Sequence, residues 1–397
     1  MVAVLPMAVL PGWSLWPAQF TLIHWTSCAV VALSFVLVAV GLRVFGGFPG
    51  ERSVLAAIPL LLGWYGALVV LVLVLRLPYS IAYIATGFTL SIAWFVAWSM
   101  YVQNVYKLKF AFVPLGRAVQ ADQLQGVDWV RLDVPAPEGV GAADGIVADL
   151  HSPELSDQWQ AFLAWCSLQH LPVYNIRQVE ESLTGRVKIR HMYENDLGSL
   201  LPSHIYMAVK YVFESLLIIV SLPLTLPLML LTALLIKLDD GGKVFFNQER
   251  VGYRGEPFLM YKFRSMTESG LNQQQTTAHG DTRVTRVGRT IRKLRIDELP
   301  QFLNVIKGEM SLIGPRAEYK KFADELEQQV PFYQYRHIVK PGISGWAQVM
   351  HGYATGAEET QVKIEHDFYY IKHFSFWLDL LIIFKTIRTM LTGFGAR

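Results

Sequence analysis

The apolar positions of this chain fall in blocks. Residues 21–42, 54–75 and 81–102 are three nearly unbroken apolar runs. Each is long enough to cross a bilayer as a helix, at about 20 residues per span. Residues 1–20 are also apolar, but Pro6, Pro11 and Pro17 interrupt them. They read as a fourth span or as a segment lying in the interface. They carry no basic n-region, which argues against a cleaved signal peptide. Two further apolar stretches lie downstream. Residues 212–236 form one. Residues 374–390 form the other, mixing Phe, Trp, Leu and Ile with Asp379, Lys385 and Arg388. The second has the composition of an interfacial helix, and a buried core helix would look the same.

Between the blocks the pattern shortens. Residues 105–200 are more polar, with β-like runs at 110–114, 129–134, 145–150 and 171–176. A helical stretch, 157–169, precedes the last run. Strands alternating with a helix predict a small α/β module of Rossmann-like type. It has no GxGxxG string, so no dinucleotide is expected there. A structural or oligomerising role is expected for it, because fold does not imply function. The pattern divides the chain into transmembrane helices (1–104), the cytoplasmic α/β module (105–205) and a mostly helical domain (206–397).

Composition sharpens this picture. Hydrophobic residues make up 52% and charged residues 17%, against about 25% charged in soluble chains. A disordered or fibrous protein is excluded, and a wholly soluble one is disfavoured. The net charge of +3 is too small to point to nucleic acid. Cys28 lies in an apolar run and Cys166 in the module. No disulfide framework or zinc spacing follows from two such cysteines. Positive residues orient the spans. Arg43 and Arg52 separate the first two runs, and Lys107, Lys109 and Arg117 follow the third. Arg76 alone lies between the second and third. The richer flanks belong in the cytoplasm, as does everything after residue 107.

The run 212–236 is unusual. Pro223 and Pro227 fall near its middle, where each removes a backbone donor and bends a helix. Lys210 precedes it, and Lys237, Lys243, Arg250 and Arg254 follow it. Both ends therefore belong on the cytoplasmic side. A helix that enters one leaflet, bends and returns satisfies both observations. An ordinary span is the alternative, since Pro is tolerated in spanning helices.

The chemistry-bearing strings lie between 240 and 350. QERVG (248–252) precedes YKFRSM (261–266). A polar loop rich in Gln and Gly, 267–281, is expected to be mobile. Arg283, Arg286, Arg289 and Arg292 recur every third residue, which on a helix makes one basic stripe, and Arg295 continues it. IDELPQ (296–301), GEMSLIGPRAE (308–318) and KPGISGWAQV (340–349) follow. Adjacent helical carboxylates point about 100° apart, so Asp297 and Glu298 need not share a task. One can attack or take a proton while the other holds a hard cation such as Mg²⁺, which bridges carboxylates to substrate phosphates. Arginines supply forks matched to phosphate oxygens. Together with a membrane surface, these residues suggest phosphoryl chemistry on a lipid. Alone, each has a plainer reading. Asp297 would serve as a helix N-cap with Pro300 in the first turn. The arginines would form a solvated face or touch anionic lipid, and Gly342 and Gly345 would be turn residues.

On these strings the chain resembles the bacterial sugar transferase family. These are monotopic phosphoglycosyl transferases, or polyprenyl-phosphate sugar-1-phosphate transferases. The resemblance covers about residues 211–397. The preceding spans and module are similar to the large-membrane-anchor branch that initiates exopolysaccharide, capsule or O-antigen assembly. The resemblance implies a multi-pass protein of the bacterial inner membrane, with its catalytic domain on the cytoplasmic face. That domain would carry a re-entrant helix and interfacial helices. The implied reaction moves a sugar-1-phosphate from a UDP-sugar to undecaprenyl phosphate, releasing UMP. A hexose-1-phosphate is the default. By this resemblance Asp297 is the nucleophile, forming a covalent phosphosugar intermediate, and Glu298 binds Mg²⁺. Arg292 and Arg316 hold phosphate groups, and Lys262 and Arg264 line the same site. The helix-breaking proline falls on Pro227, with Pro223 as a rival position. Ala317 stands where the family often has Pro. The branch is compatible with a homodimer. Two other activities remain in view: a glycosyltransferase that releases UDP, and a non-catalytic scaffold of a polysaccharide complex.

Overall fold

The computed structural model describes residues 21–45, 57–105, 108–141, 143–189, 201–267, 283–351 and 357–392. The segment 1–20 and nearly all of the 267–281 loop lie outside the described residues. So do Arg52 and Lys107. The chain divides into two compact units, Met1–Gly185 and Arg186–Arg397.

The first unit opens with α1 (Leu22–Phe45), α2 (Ala57–Val74) and α3 (Ile81–Val105). These occupy the three apolar runs. All three are long and apolar enough to cross a membrane. Their mutual contacts use small and hydroxylated residues. Ser27, Ser34 and Ser91 are buried, and Tyr65 Oη lies 2.9 Å from Ser91 Oγ. A Cβ at Gly87 would stand 2.5 Å from a Val31 methyl, so only glycine lets α1 and α3 approach this closely. Close backbone approach through small residues is how helices associate in lipid.

The module follows. Strands β1 (Lys109–Phe112), β2 (Asp128–Arg131), β3 (Gly145–Ala148) and β4 (Val173–Asn175) form a parallel sheet in the order β2-β1-β3-β4. All four expected strands are present. A parallel sheet needs cover on both faces. On one face Ala111, Val113, Ile146 and Ala148 pack against Trp159, Phe162 and Cys166 of α4 (Asp157–Leu168). On the other, Phe112 and Val147 meet Ala118, Ala121 and Val179. Val179 belongs to α5 (Ile176–Thr184), which the sequence pattern does not single out. Asn175 caps α5 by accepting the Arg177 N–H, and Gly185 ends it in the left-handed conformation.

The second unit is built on α6 (His204–Asp240), a continuous helix of 37 residues that contains both prolines. Ser203 caps its start, and Gly241 ends it at φ +71°. Its length and apolarity also suffice for a span. A buried polar cluster fixes its first turns. Lys210 Nζ donates to the Ile313 carbonyl at 2.8 Å and to Tyr370 Oη at 2.9 Å, and it pairs with Asp379. Glu214 accepts from Ser311 Oγ.

An antiparallel hairpin follows, β5 (Phe245–Val251) with β6 (Pro257–Phe263). Next come α7 (Arg286–Lys293), a 3₁₀ turn over Ile296–Gln301, α8 (Phe302–Ile306) and β7 (Ser311–Ile313). Then α9 (Lys320–Gln329) precedes β8 (Gly342–Ser344), which pairs parallel with β7. The short α10 (Trp346–Met350), α11 (Ala357–Lys372) and α12 (Phe376–Thr392) complete the unit. Helix α12 has a buried core face and an exposed apolar face. Leu378, Leu381 and Ile382 are fully buried, whereas Phe376, Ile387 and Met390 are exposed.

Candidate active site

Strand β6 and the turn after α7 build the site. Helix α7 covers only Arg286–Lys293, so the arginine stripe is shorter than its spacing suggests. Arg283 precedes the helix. Arg295 leaves it with φ +53°, in the left-handed region. That conformation is uncommon for a side chain larger than Asn. It turns the chain sharply, so Asp297 and Glu298 start a new 3₁₀ turn instead of extending the stripe. The N-cap position is therefore Arg295, not Asp297, and it makes no side-chain cap bond.

Asn304 sets the depth of this turn against β6. Its Oδ1 accepts the Tyr261 N–H at 3.1 Å, and its Nδ2 donates to the Leu259 carbonyl at 2.8 Å. The side chain is fully buried. One amide thus joins α8 to the strand that carries Lys262. The sequence reading passes over Asn304, because an Asn inside an apolar stretch carries no motif of its own.

Glu298 is buried and enclosed by cations. Its carboxylate lies 3.4 Å from Lys262 Nζ, 3.4 Å from Arg316 Nη1 and 3.5 Å from Arg295 Nη1. Burial by itself would push its pKa up. The charges of Lys262, Arg316 and Arg295 outweigh burial and hold the carboxyl at about 2. Its Oε2 accepts no hydrogen bond. Asp297 is only half-buried. Its carboxyl is pushed up to about 6 by burial first and by the Glu298 charge second, against Lys262, Arg292 and Arg316. Burial also lowers Lys262 to about 8, with Glu298 opposing. Two adjacent carboxylates thus have well-separated pKa values, the pattern that assigns them different chemical roles.

The structure therefore brings Lys262, Arg292, Arg316, Asp297 and Glu298 together, and adds Arg295. It places Arg264 elsewhere. The Arg264 guanidinium donates to Asp240 Oδ2 at 2.6 Å and bonds the Lys243 carbonyl. Gly242 leaves room for it, since a Cβ there would lie 2.8 Å from the guanidinium. Arg264 thus ties the end of α6 to the hairpin. Among the described residues no group of three or more His, Cys, Asp or Glu side chains is placed to hold a metal. Any metal at the dyad would draw most of its ligands from substrate and water.

A family model described as bacterial sugar transferase matches residues 205–393. An Aeromonas hydrophila protein named UDP-N-acetylgalactosamine-undecaprenyl-phosphate N-acetylgalactosaminephosphotransferase is 49% identical over 389 residues. That alignment covers 97% of this chain and 91% of the relative. A Xanthomonas campestris pv. campestris UDP-glucose:undecaprenyl-phosphate glucose-1-phosphate transferase is 39% identical over 194 residues, covering 48% of this chain and 40% of its own length. An uncharacterized sugar transferase of Bacillus subtilis (strain 168) is 41% identical over 194 residues, which is 48% of this chain and 91% of that relative.

Proposed function

Because the chain belongs to the bacterial sugar transferase family, we propose that it moves a sugar-1-phosphate from a UDP-sugar to undecaprenyl phosphate through a covalent intermediate on Asp297. The general reaction, transfer of a sugar phosphate to undecaprenyl phosphate, is that of its relatives. The protein is membrane-associated, by its long apolar helices and its family.

One arrangement carries the mechanism: a half-buried Asp297 stands next to a buried Glu298 that Lys262, Arg316 and Arg295 enclose at 3.4–3.5 Å, so that burial raises the first carboxyl while the cations lower the second. At neutral pH Asp297 is mostly ionised yet poorly solvated, which suits a nucleophile. Its oxygen attacks the phosphorus that bears the sugar. The bond to the UMP phosphate breaks, and UMP leaves with that electron pair. An oxygen of undecaprenyl phosphate then attacks the same phosphorus and frees Asp297. Lys262, Arg292, Arg295 and Arg316 neutralise the diphosphate and the charge that gathers on the leaving UMP. Glu298, whose Oε2 accepts no hydrogen bond and faces only Arg295 Nη1 at 3.5 Å, would hold a Mg²⁺. Such an ion would further neutralise the diphosphate.

The breadth of similarity bears on the sugar. The relative matched along nearly the whole chain is named for N-acetylgalactosamine. The glucose-named relative cited above matches about half of the chain. This supports UDP-N-acetylgalactosamine over the plain hexose expected from sequence.

The membrane arrangement has support within the second unit. Ile218, near one end of the apolar stretch of α6, shares a cluster with Phe258 and Met260. Ile236, near the other end, shares a cluster with Phe263 and Ile291. A straight helix would separate Ile218 from Ile236 by about 27 Å. Met260 and Phe263 lie only about 10 Å apart along β6. The two ends belong to clusters that draw on the same strand, and with two prolines between them this favours a helix that enters and returns. The dyad is then held at the cytoplasmic face of the inner membrane, where a soluble donor and a lipid acceptor both arrive.

The test is UMP release by the purified protein with undecaprenyl phosphate, Mg²⁺ and a panel of UDP-sugars. UMP from UDP-N-acetylgalactosamine, lost in Asp297→Asn, is the expected result. UDP as the released nucleotide, or turnover by Asp297→Asn, would overturn the reading.

A further inference from the structure

Arg316 owes its place to a set of bonds that the reaction itself does not use. The carbonyls of residues 315–318 are each claimed. Pro315 accepts from the Gly342 N–H at 2.8 Å and Glu318 from the Val251 N–H at 3.1 Å. Between them, Arg316 accepts from Arg336 Nη2 at 3.0 Å and Ala317 from Arg250 Nη1 at 3.0 Å. Arg250 is also stacked on Tyr319, 3.7 Å from the ring centroid. Lys363 Nζ holds the Glu318 carboxylate at 2.7 Å.

Arg336 is the centre of this arrangement. Its guanidinium divides between the Arg316 carbonyl, Tyr333 Oη at 2.8 Å and Asp367 Oδ2 at 2.8 Å. The side chains of Arg336 and Asp367 are each only 2% exposed. A buried ion pair is a poor source of stability, because apolar residues of similar volume often do as well or better. What the planar fork supplies is direction, and a lysine cannot reproduce three bonds at fixed angles. By contrast, the Arg316 side chain is 31% exposed and faces Glu298. Its main chain is locked while its guanidinium stays accessible.

We propose that the Arg336–Asp367 pair is a positioning device for the donor diphosphate, acting by fixing the main chain of Arg316. The proposal rests on the reading of Arg316 as a phosphate-holding residue. Misplacing such a group by about 1 Å can cost about 10²-fold, and supporting contacts are what prevent it.

The experiment titrates UDP with Mg²⁺ into the full-length, detergent-solubilised protein by calorimetry. The variants are Arg316→Ala, Arg336→Lys, the paired change Arg336→Met with Asp367→Leu, and Arg316→Ala combined with Arg336→Lys. Arg336→Lys should weaken UDP binding about tenfold, or about 1.4 kcal/mol. The paired apolar change should do the same while keeping a thermal midpoint near that of the wild type. In the Arg316→Ala background, Arg336→Lys should add no further loss, because residues that act through one another are not additive. An undiminished loss in that background overturns the proposal. So does unaltered UDP affinity in both Arg336 variants, or loss of the fold in both, which would mark the pair as purely structural. Unaltered affinity in Arg316→Ala alone overturns the reading of Arg316, and this proposal with it.

Discussion

Glu298 has two jobs at the scale of single residues. It raises the pKa of its neighbour Asp297, and it keeps Lys262 charged. In the proposed mechanism Asp297 attacks as the carboxylate, so kcat/KM should fall as pH drops through about 6. In the same mechanism Lys262 holds phosphate only when charged, so the rate should fall again as pH rises through about 8. A bell-shaped profile of kcat/KM against pH checks both limbs. Glu298→Gln removes the attraction that supports the Lys262 charge. Its alkaline limb should therefore move below 8, and its acid limb should also move down as Asp297 loses the like charge beside it. A profile unchanged in position would contradict this coupling. The dyad, Lys262 and Arg316 were legible in the sequence because each sits inside a motif string, and Arg292 because it belongs to the arginine repeat just before the dyad. The cage around Glu298 was only partly legible. Arg295 joins it through a positive φ, which spacing does not reveal. Arg264 leaves the site because the α6 terminus supplies Asp240 as a nearer carboxylate.

At the scale of elements the long helix matters most. Pro223 and Pro227 each lack the N–H that would close a helical bond. Thr225 Oγ1 donates back to the Ser221 carbonyl, and Ser221 Oγ to that of Ile218. Such back-bonding favours a bend. Replacing both prolines by Ala should straighten α6 and drive it toward a full span. Cysteine probes placed on the C-terminal unit, with Cys28 and Cys166 replaced, should then lose labelling from the cytoplasmic side. Labelling identical to the parent would argue against the bend. The sequence marked this element through its flanking charges and its prolines. It did not reveal the clusters at each end, because Ile218 and Ile236 look like any other residues of an apolar run. Similarly, α12 read as two alternatives because its core face and its exposed apolar face have the same composition.

At the scale of the whole molecule, the proposed reaction pairs a soluble substrate with one confined to lipid. Holding both at one surface removes up to about 7–11 kcal/mol of entropic barrier. Every residue assigned to the site comes from the second unit, Arg186–Arg397. The Bacillus subtilis relative matches this half over 91% of its own length. A chain lacking residues 1–185 should therefore still release UMP, with kcat within about tenfold of the parent. A loss beyond about 10²-fold would show that the spans or the module take part in turnover. Of the module's strands, β3 was the most legible, because a parallel strand buried on both faces reads as a continuous apolar run. Helix α5 was missed because its nine residues are mostly polar.

The proposed covalent step is tested most directly by leaving the acceptor out. Purified enzyme is mixed with UDP-N-acetylgalactosamine and Mg²⁺ without undecaprenyl phosphate, and UMP is counted per active site. The account predicts a burst of about one UMP per site, with the sugar phosphate recovered on the peptide that contains Asp297. UMP that forms only after lipid is added, with an unmodified Asp297 peptide, would contradict it.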